Sequence, residues 1–154
     1  MNNIKKILEY IVPKTIELNR LYIAKDFGEI NYSAIFCQSD KESEELKAEA
    51  SGLGQIIQDT PTGPLFKLNE AIKTPAGNLW LLKIRQPDST RTQRGHADFT
   101  LKDYNSFKEK YLKDESHFKL IDRGSFEMIE LRDFKFDVLS YFSSIPLVSQ
   151  LKIK

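Results

Sequence analysis

The sequence predicts an α+β fold, with two β-α-β-β-β units in tandem and helices ahead of them. Three observations lead to this prediction. Apolar residues recur at helical spacing only in short segments near the N-terminus, after residue 39 and after residue 102. Short β-rich segments follow each of the two later helices. Landmarks in the two halves also recur at nearly one spacing, which indicates an internal repeat. A chain of 154 residues with 40% hydrophobic residues can bury the core of such a fold.

Residues 1–28 are predicted to form an N-terminal helical segment that packs on the domain. The first apolar residues with helical spacing are Ile4, Ile7, Leu8 and Ile11. Pro13 interrupts this pattern and is expected to open a second helix at its first position, where a missing N–H costs nothing. The pattern then stops in "KDFGE".

Residues 29–86 are predicted to form the first unit. "INYSAIFC" is typical of a strand, and the next segment begins with a helix-capping signature, Ser39 with Glu42 three residues later. Gly52 or Gly54 is expected to end that helix. Three strands follow in "QIIQDT", "PLFKL" and "NLWLLKIR", separated by the turns "PTGP" and "TPAGN".

Residues 94–143 are predicted to form the second unit, and residues 144–154 a C-terminal tail. "GHADFTL" is a strand, and "KDYNSFKEKYL" is a helix capped by Asp103. "HFKLID", "FEMIEL" and "FDVLSYF" are three further strands. The offsets between the halves support a duplication, because Tyr32 and His96 lie 64 positions apart while Asp40 and Asp103 lie 63 apart.

Charge and composition narrow the classes of function. The formal net charge is +1, so no global basic field exists to hold nucleic acid or an anionic membrane. The single cysteine, Cys37, fits a reducing compartment and is expected to be a packed thiol. "MNNIKKILEY" lacks the apolar core of a signal peptide. These features favour a cytoplasmic protein.

Two β-α-β-β-β units in one short chain resemble the vicinal oxygen chelate superfamily, also called glyoxalase-like or bleomycin-resistance-like. The resemblance covers about residues 30–142 and rests on element order and repeat length. The segment from "PLFKLNEAI" to "RGHADFTL" also resembles the YecM-type metal-binding proteins of that superfamily. The resemblance implies that the two units enclose a cleft. It also implies that His, Glu or Gln on the first and last strand of each unit hold a divalent metal that chelates two substrate oxygens.

Strand alternation predicts which side chains face such a cleft. His96, Asp98 and Thr100 are expected to face it, and Tyr32 is the counterpart of His96 in the first unit. Of the expected metal positions only His96 carries a usual ligand. The position on the first strand of the first unit is Tyr32, and the position on its last strand is Leu81 or Lys83. The position on the last strand of the second unit is Ser140, or Tyr141 if the register shifts by one residue. Because a catalytic site needs about three protein ligands, His96 is only a tentative metal ligand.

The rest of the predicted cleft is basic. Lys83 and Arg85 share one face of their strand, and Arg91 and Arg94 lie on the loop that leads to His96. These groups would bind a carboxylate or a phosphate through charge-assisted hydrogen bonds. Taken singly, the loop arginines could equally be solvated surface charges.

Three functions remain open at this point. The first is a cleft that binds a small anionic or oxygen-rich molecule through Tyr32, Lys83, Arg85, Arg94 and Thr100. His96, oriented by Asp98, would then move a proton, as in a lyase, isomerase or dioxygenase-type relative. The second is a sequestering module without catalysis. The third is an interaction protein, such as a homodimer, that uses the apolar stripe of residues 4–23, although that stripe could equally close the domain's own sheet.

Overall fold

The computed structural model describes residues 3–24 and 26–151. The first helix is α1 (Asn3–Tyr22), and the first unit consists of β1 (Glu29–Phe36), α2 (Asp40–Leu53), β2 (Gly54–Thr60), β3 (Gly63–Thr74) and β4 (Gly77–Arg85). The second unit consists of β5 (Gly95–Thr100), α3 (Tyr104–Tyr111), β6 (Phe118–Asp122), β7 (Glu127–Leu131) and β8 (Val138–Ser143), followed by α4 (Leu147–Gln150). The predicted α+β fold with two β-α-β-β-β units is confirmed.

All eight strands form one mixed sheet in the order β2-β3-β4-β1-β5-β8-β7-β6. Within each unit the first and last strands are parallel neighbours, β1 with β4 and β5 with β8. The two units join through the antiparallel pair β1–β5, in which Ser33 lies opposite Ala97. The opening strand of each unit therefore lies at the centre of the sheet.

The N-terminal segment is one helix, and the prediction that Pro13 starts a second helix is wrong. α1 runs through Pro13, and its buried residues Ile11, Val12 and Ile16 lie on both sides of the proline. Proline removes one hydrogen bond from a helix interior, yet burial of the apolar stripe outweighs that loss. α1 contacts β5 and β8, so the stripe covers the chain's own sheet.

Helix α2 begins and ends where the sequence predicted. The Ser39 hydroxyl accepts the backbone N–H of Glu42 at 3.1 Å, which satisfies one of the free donors of the first turn. The carboxylate of Glu42 accepts the backbone N–H of Gln38 at 2.9 Å, one residue earlier than the standard capping box requires. Gly54 follows the last helical residue and starts β2.

The main hydrophobic core lies between the sheet and its helices. Side chains from α1, α2 and α3 pack there against one face of the sheet. The residues on the sheet side of this core include Ile35, Cys37, Ala97 and Phe99. Cys37 is 3% exposed, and burial raises the pKa of its thiol to about 11, as expected for a packed cysteine. A second, smaller cluster contains strand residues only and lies on the other face; we call that face the helix-free face.

Gly95 allows α1 to pack close to the central strands. A Cβ on this residue would lie 2.2 Å from the carbonyl oxygen of Ala34 and 2.6 Å from Cδ1 of Ile11. Only glycine allows this close approach, and it holds the next residue, His96, against β1. Among the described residues, no helix combines the length and the apolar character that crossing a membrane requires.

Candidate functional site

Most of the predicted site residues share the helix-free face. In the sheet, Tyr32 lies opposite Asp98, and Ala34 lies opposite both His96 and Lys83. Arg85 lies opposite Phe36, two residues further along β4. Since alternate residues of a strand point to the same side, these side chains lie on the face opposite Ala97 and Phe99. Thr100 is partly exposed and continues the same alternation at the end of β5.

His96 is enclosed by aromatic rings. Its exposed fraction is 3%, and its ring centroid lies 5.2 Å from Tyr32, 5.7 Å from Phe36 and 4.5 Å from Tyr141. Among the described residues, none forms a hydrogen bond with its Nδ1. Burial, followed by the charge of Arg85, holds the pKa of His96 well below its usual range. The imidazole is therefore neutral at neutral pH.

Asp98 is a buried acid that does not contact His96. It is fully buried, and its Oδ2 accepts the hydroxyl of Ser143 at 2.7 Å. Its Oδ1 has no partner among the described residues. Desolvation raises the pKa of Asp98 to about 8, although the hydrogen bonds from Ser143 act in the opposite direction. The expectation that Asp98 orients His96 is wrong, because no hydrogen bond joins them.

Four basic side chains converge beside these buried groups, and we call them the cationic cluster: Lys83, Arg85, Arg91 and Arg123. Burial, and then the charges of Arg85 and Arg123, lower the pKa of Lys83 to about 8. Burial and the charge of Arg91 lower the pKa of Arg85. The guanidinium of Arg85 also lies over the ring of Phe36, 4.6 Å from its centroid. Each of the four charges thus acts on at least one other, and all four act on His96.

Arg123 is the member of the cationic cluster that sequence reasoning missed. It lies in the turn between β6 and β7, where Gly124 has a φ of 87° and donates its N–H to Asp122 at 2.8 Å. Glycine permits this left-handed conformation, which shapes the turn that carries Arg123. The segment "RGS" identified a turn but held no signal that its arginine would lie beside β4, more than 35 residues earlier.

A hydrogen-bonded group at the second unit completes the face. The hydroxyl of Tyr141 donates to Oε2 of Glu130 at 2.9 Å. Arg132 donates to Oε1 of Glu130, at 2.8 Å from Nε and 2.6 Å from Nη2. Glu130 is 2% exposed, so its charge is balanced by these partners and not by water. The sequence offered Tyr141 as the alternative to Ser140 on β8, but nothing in it indicated that Tyr141 pairs with Glu130.

The side chain of Ser140 lies on the face opposite to the predicted one. Ser140 was expected on the cleft side, but it pairs with Ala97, its side chain lies on the helix side, and its neighbours Leu139 and Tyr141 occupy the helix-free face. The register differs by one residue from the predicted one, and a one-residue shift moves every side chain of a strand to the other face.

Arg94, which was predicted to bind ligand, has its guanidinium paired with a carboxylate of the fold. Its Nη1 and Nη2 donate to the two carboxylate oxygens of Glu42 at 2.7 and 2.8 Å, and Nη1 also donates to the backbone oxygen of Phe36 at 3.0 Å. This bidentate pair fastens the loop before β5 to the first turn of α2. The guanidinium is thus occupied within the fold.

The resemblance to the vicinal oxygen chelate superfamily implies a divalent metal, and the donor set around His96 does not fit one. Within residues 3–24 and 26–151, no three His, Cys, Asp or Glu side chains come together as a ligand group. The charges that act on His96 belong to the cationic cluster, which repels a divalent ion. Glu130 is already bonded to Tyr141 and Arg132. In the described part of the chain, His96 therefore has no co-ligands for the metal that the resemblance implies.

The fold has a counterpart among solved structures. A chain described as "Structural Genomics, Protein EC4020" superposes with a TM-score of 0.76 and 15% sequence identity, over 97% of this chain and 90% of that one. At this identity the similarity shows the fold alone. A glyoxalase/bleomycin resistance protein/dioxygenase superfamily member from Vibrio splendidus 12B01 superposes with a TM-score of only 0.45 and 7% identity, over 73% of this chain and 95% of that one. That second similarity is too low to carry an argument about fold or function. No protein-family model and no curated protein matches the sequence.

Proposed function

We propose that this protein binds a small anionic molecule at the cationic cluster on the helix-free face. One observation carries the proposal: among the described residues, none of the four cations forms an ion pair with a carboxylate. The ion pairs that are present involve other basic side chains, such as Arg94 with Glu42 and Arg132 with Glu130. Like charges held together without counter-charges cost free energy, and a bound anion removes that cost.

The ligand would lie at the centre of the sheet. Lys83 and Arg85 are carried by β4, next to β1, and both are partly buried. Partial burial strengthens a charge-assisted hydrogen bond, because less water competes with the ligand. Tyr32 and Thr100 are partly exposed on the same face and are proposed as neutral contacts. The glyoxalase-like ancestry is part of this proposal, supported by the tandem units and by the histidine that opens the second.

A binding module without catalysis agrees best with the surroundings of His96 and Asp98. A general base must reach the proton that it removes, within about 3 Å or through one water. His96 is 3% exposed and Asp98 is fully buried, so both stand behind the surface on which the ligand would lie. We therefore propose that His96 shapes the floor of the site as a neutral imidazole and that Asp98 does so as a neutral acid.

Calorimetric titration with inorganic phosphate at low ionic strength tests the proposal. Wild-type protein is expected to bind, and Arg85→Gln is expected to bind at least about tenfold more weakly, because a charge-assisted hydrogen bond contributes about 1.5–3 kcal/mol. Arg20→Gln is the matched control, since Arg20 is an exposed arginine of α1 far from β4 in the chain. Equal binding by wild type and Arg85→Gln, or no binding of phosphate, acetate or succinate by the wild type, would contradict the proposal.

Three further predictions concern where the protein is located and what it associates with. The cytoplasmic location and the lack of a nucleic-acid partner rest on the net charge of +1 and the single cysteine. The homodimer rested on the apolar stripe of α1, and that stripe packs against β5 and β8. A homodimer would therefore have to use another surface, and it stays a prediction.

A further inference from the structure

The charges around the cationic cluster do not balance, and this imbalance bears on the charge of the ligand. Four carboxyl groups lie beside the cluster: Asp88, Asp98, Glu130 and Asp122, the chain neighbour of Arg123 in the β6–β7 turn. Asp98 has a pKa of about 8 because it is buried, so it is mostly protonated at neutral pH. Glu130 is balanced by Arg132. Asp88 is exposed, and it faces Arg85 and Arg91 at long range without forming an ion pair with either. Asp122 is exposed too, so four cations stand against two exposed carboxylates, and among the described residues no ion pair joins either carboxylate to the cluster.

The four cations come from three separate parts of the chain. Lys83 and Arg85 lie on the last strand of the first unit, Arg91 lies on the loop between the units, and Arg123 lies on the β6–β7 turn of the second unit. The β6–β7 turn lies over the helix-free face, because Ile121 and Phe126 on its two sides pack against the small cluster that contains Phe36. The charge of Arg123 accordingly acts on Lys83 and on His96. An anion between them would be approached by donors from several directions.

We propose, building on the proposed function, that the ligand is a phosphomonoester whose dianionic phosphoryl group lies between β4 and the β6–β7 turn. Coulomb attraction grows with the charge of the ligand, so a dianion gains about twice as much from the same four cations as a monoanion does. A phosphoryl group presents three oxygens in a tetrahedral arrangement, whereas a carboxylate presents two in one plane. Three oxygens match donors that come from three parts of the chain, and each arginine fork can hold two of them.

Two buried polar atoms next to the cationic cluster, one on His96 and one on Asp98, are consistent with a polar ligand there. Nδ1 of His96 and Oδ1 of Asp98 are buried and lack partners within the part of the chain that the structure describes. Buried polar atoms without partners are uncommon, and they often mark a site where water or a ligand completes the hydrogen bonding. A neutral imidazole and a protonated carboxyl can each donate a hydrogen bond to a buried water, so the floor beneath the ligand can be polar without contacting the ligand.

Calorimetric titration of the full chain at pH 7.5 with four probes tests the charge and shape of the ligand. The probes are inorganic phosphate, glycerol 3-phosphate, succinate and acetate. Both phosphoryl compounds are expected to bind at least tenfold more tightly than succinate and at least a hundredfold more tightly than acetate. Glycerol 3-phosphate binding tighter than free phosphate would indicate that the site also contacts the organic part of an ester.

Arg123 provides the specific variant, because it is exposed and its loss should not affect folding. Arg123→Gln is expected to weaken the binding of both phosphoryl compounds at least tenfold. Arg123→Lys should have an intermediate effect, because it keeps the charge but loses the two-pronged guanidinium. Lys119→Gln is the matched control, since Lys119 is an exposed cation on the adjoining strand β6.

The outcomes separate the two proposals. Tight phosphoryl binding that depends on Arg123 supports both. The phosphomonoester proposal is overturned if acetate and phosphate bind with equal affinity and if that affinity falls in Arg85→Gln but not in Arg123→Gln. The proposed anion site would still hold in that case. Preference for succinate over phosphate likewise overturns the phosphomonoester in favour of a dicarboxylate. Binding of none of the four probes overturns the anion site itself.

Discussion

Lys83 is the residue whose protonation should make ligand binding depend on pH. Its pKa is lowered to about 8 by burial and by the charges of Arg85 and Arg123. A bound anion stabilises the charged form and raises that pKa, so above pH 8 binding must take up a proton. The affinity is therefore constant below pH 8 and falls as the pH rises beyond it.

Sulfate is the suitable probe for Lys83, because its own charge does not change between pH 7 and 10. We expect the dissociation constant of sulfate to rise roughly 25-fold from pH 7.5 to pH 9.5, in proportion to the loss of the charged amine. Lys83→Arg should remove this dependence, since arginine stays charged throughout. A wild-type affinity that does not change with pH would show that Lys83 does not contact the anion.

Asp98 should lower the stability of the fold as the pH rises. Its pKa is about 8 in the folded protein, against about 3.9 in an unfolded chain. The folded state thus holds a proton that the unfolded state releases, and the stabilisation present below pH 4 is lost progressively as the pH rises through 8. Asp98→Asn keeps an acceptor for Ser143 and has no such loss.

Urea unfolding at pH 5 to 8 tests the role of Asp98. The free energy of unfolding of Asp98→Asn, relative to wild type, is expected to increase over this range by on the order of 2–4 kcal/mol. Asp59→Asn serves as the control, because Asp59 is an exposed acid of the edge strand β2. Parallel curves for wild type and Asp98→Asn would mean that Asp98 is ionised in the fold.

Strand positions and loop positions differ in how far the sequence could predict them. The alternation of β4 and β5 correctly put Lys83 and Arg85 on one face with His96, because the period of a strand is local and strict. Arg94 could not be predicted in this way, since its partner Glu42 lies 52 residues earlier. A side chain on a loop or turn is positioned by long-range contacts, which one sequence does not display.

At the scale of elements, the pair between Arg94 and Glu42 connects two of them. It ties the start of β5 to the first turn of α2, with side chains that are 20% and 28% exposed. The hydrogen bonds from Arg94 are the main cause that lowers the pKa of Glu42. The stabilisation from this pair is therefore present above pH 4.5 and is lost as the pH falls through the lowered pKa of Glu42.

Arg94→Gln separates a structural role from ligand binding. We expect the free energy of unfolding at pH 7 to fall by about 1–2 kcal/mol, since a partly buried bidentate pair is lost. The affinity for phosphate should stay within about twofold of wild type, because this guanidinium does not belong to the cationic cluster. Glu42→Gln should have a similar effect on stability. A tenfold loss of phosphate affinity in Arg94→Gln with unchanged stability would restore Arg94 to the site.

Helix α1 shows why an element boundary can be wrong while the element itself is right. The apolar spacing around Ile4 and Ile16 correctly predicted a helix that covers the sheet. Pro13 is a local signal for a break, but the buried stripe on both sides of it keeps one continuous helix. Local propensity was outweighed by tertiary packing, which only the folded chain displays.

At the scale of the whole molecule, the duplication was predictable and the site was only partly so. In each unit one helix and then three strands follow the opening strand, and their spacing is visible in the sequence. The central antiparallel pair β1–β5 brings the two opening strands together, and this contact decides which residues share a face. A net charge of +1 averages over the chain and hides four cations that the fold collects on one surface.

The central claim is that an anion lies between β4 and the β6–β7 turn. A crystal of the full chain soaked in tungstate, a tetrahedral dianion with strong anomalous scattering, tests this claim most directly. Tungstate is expected to give an anomalous peak in contact with Lys83, Arg85 and Arg123, and this peak should be lost in crystals of Arg85→Gln. Tungstate peaks elsewhere on the surface, with none beside Lys83 and Arg85, would contradict it.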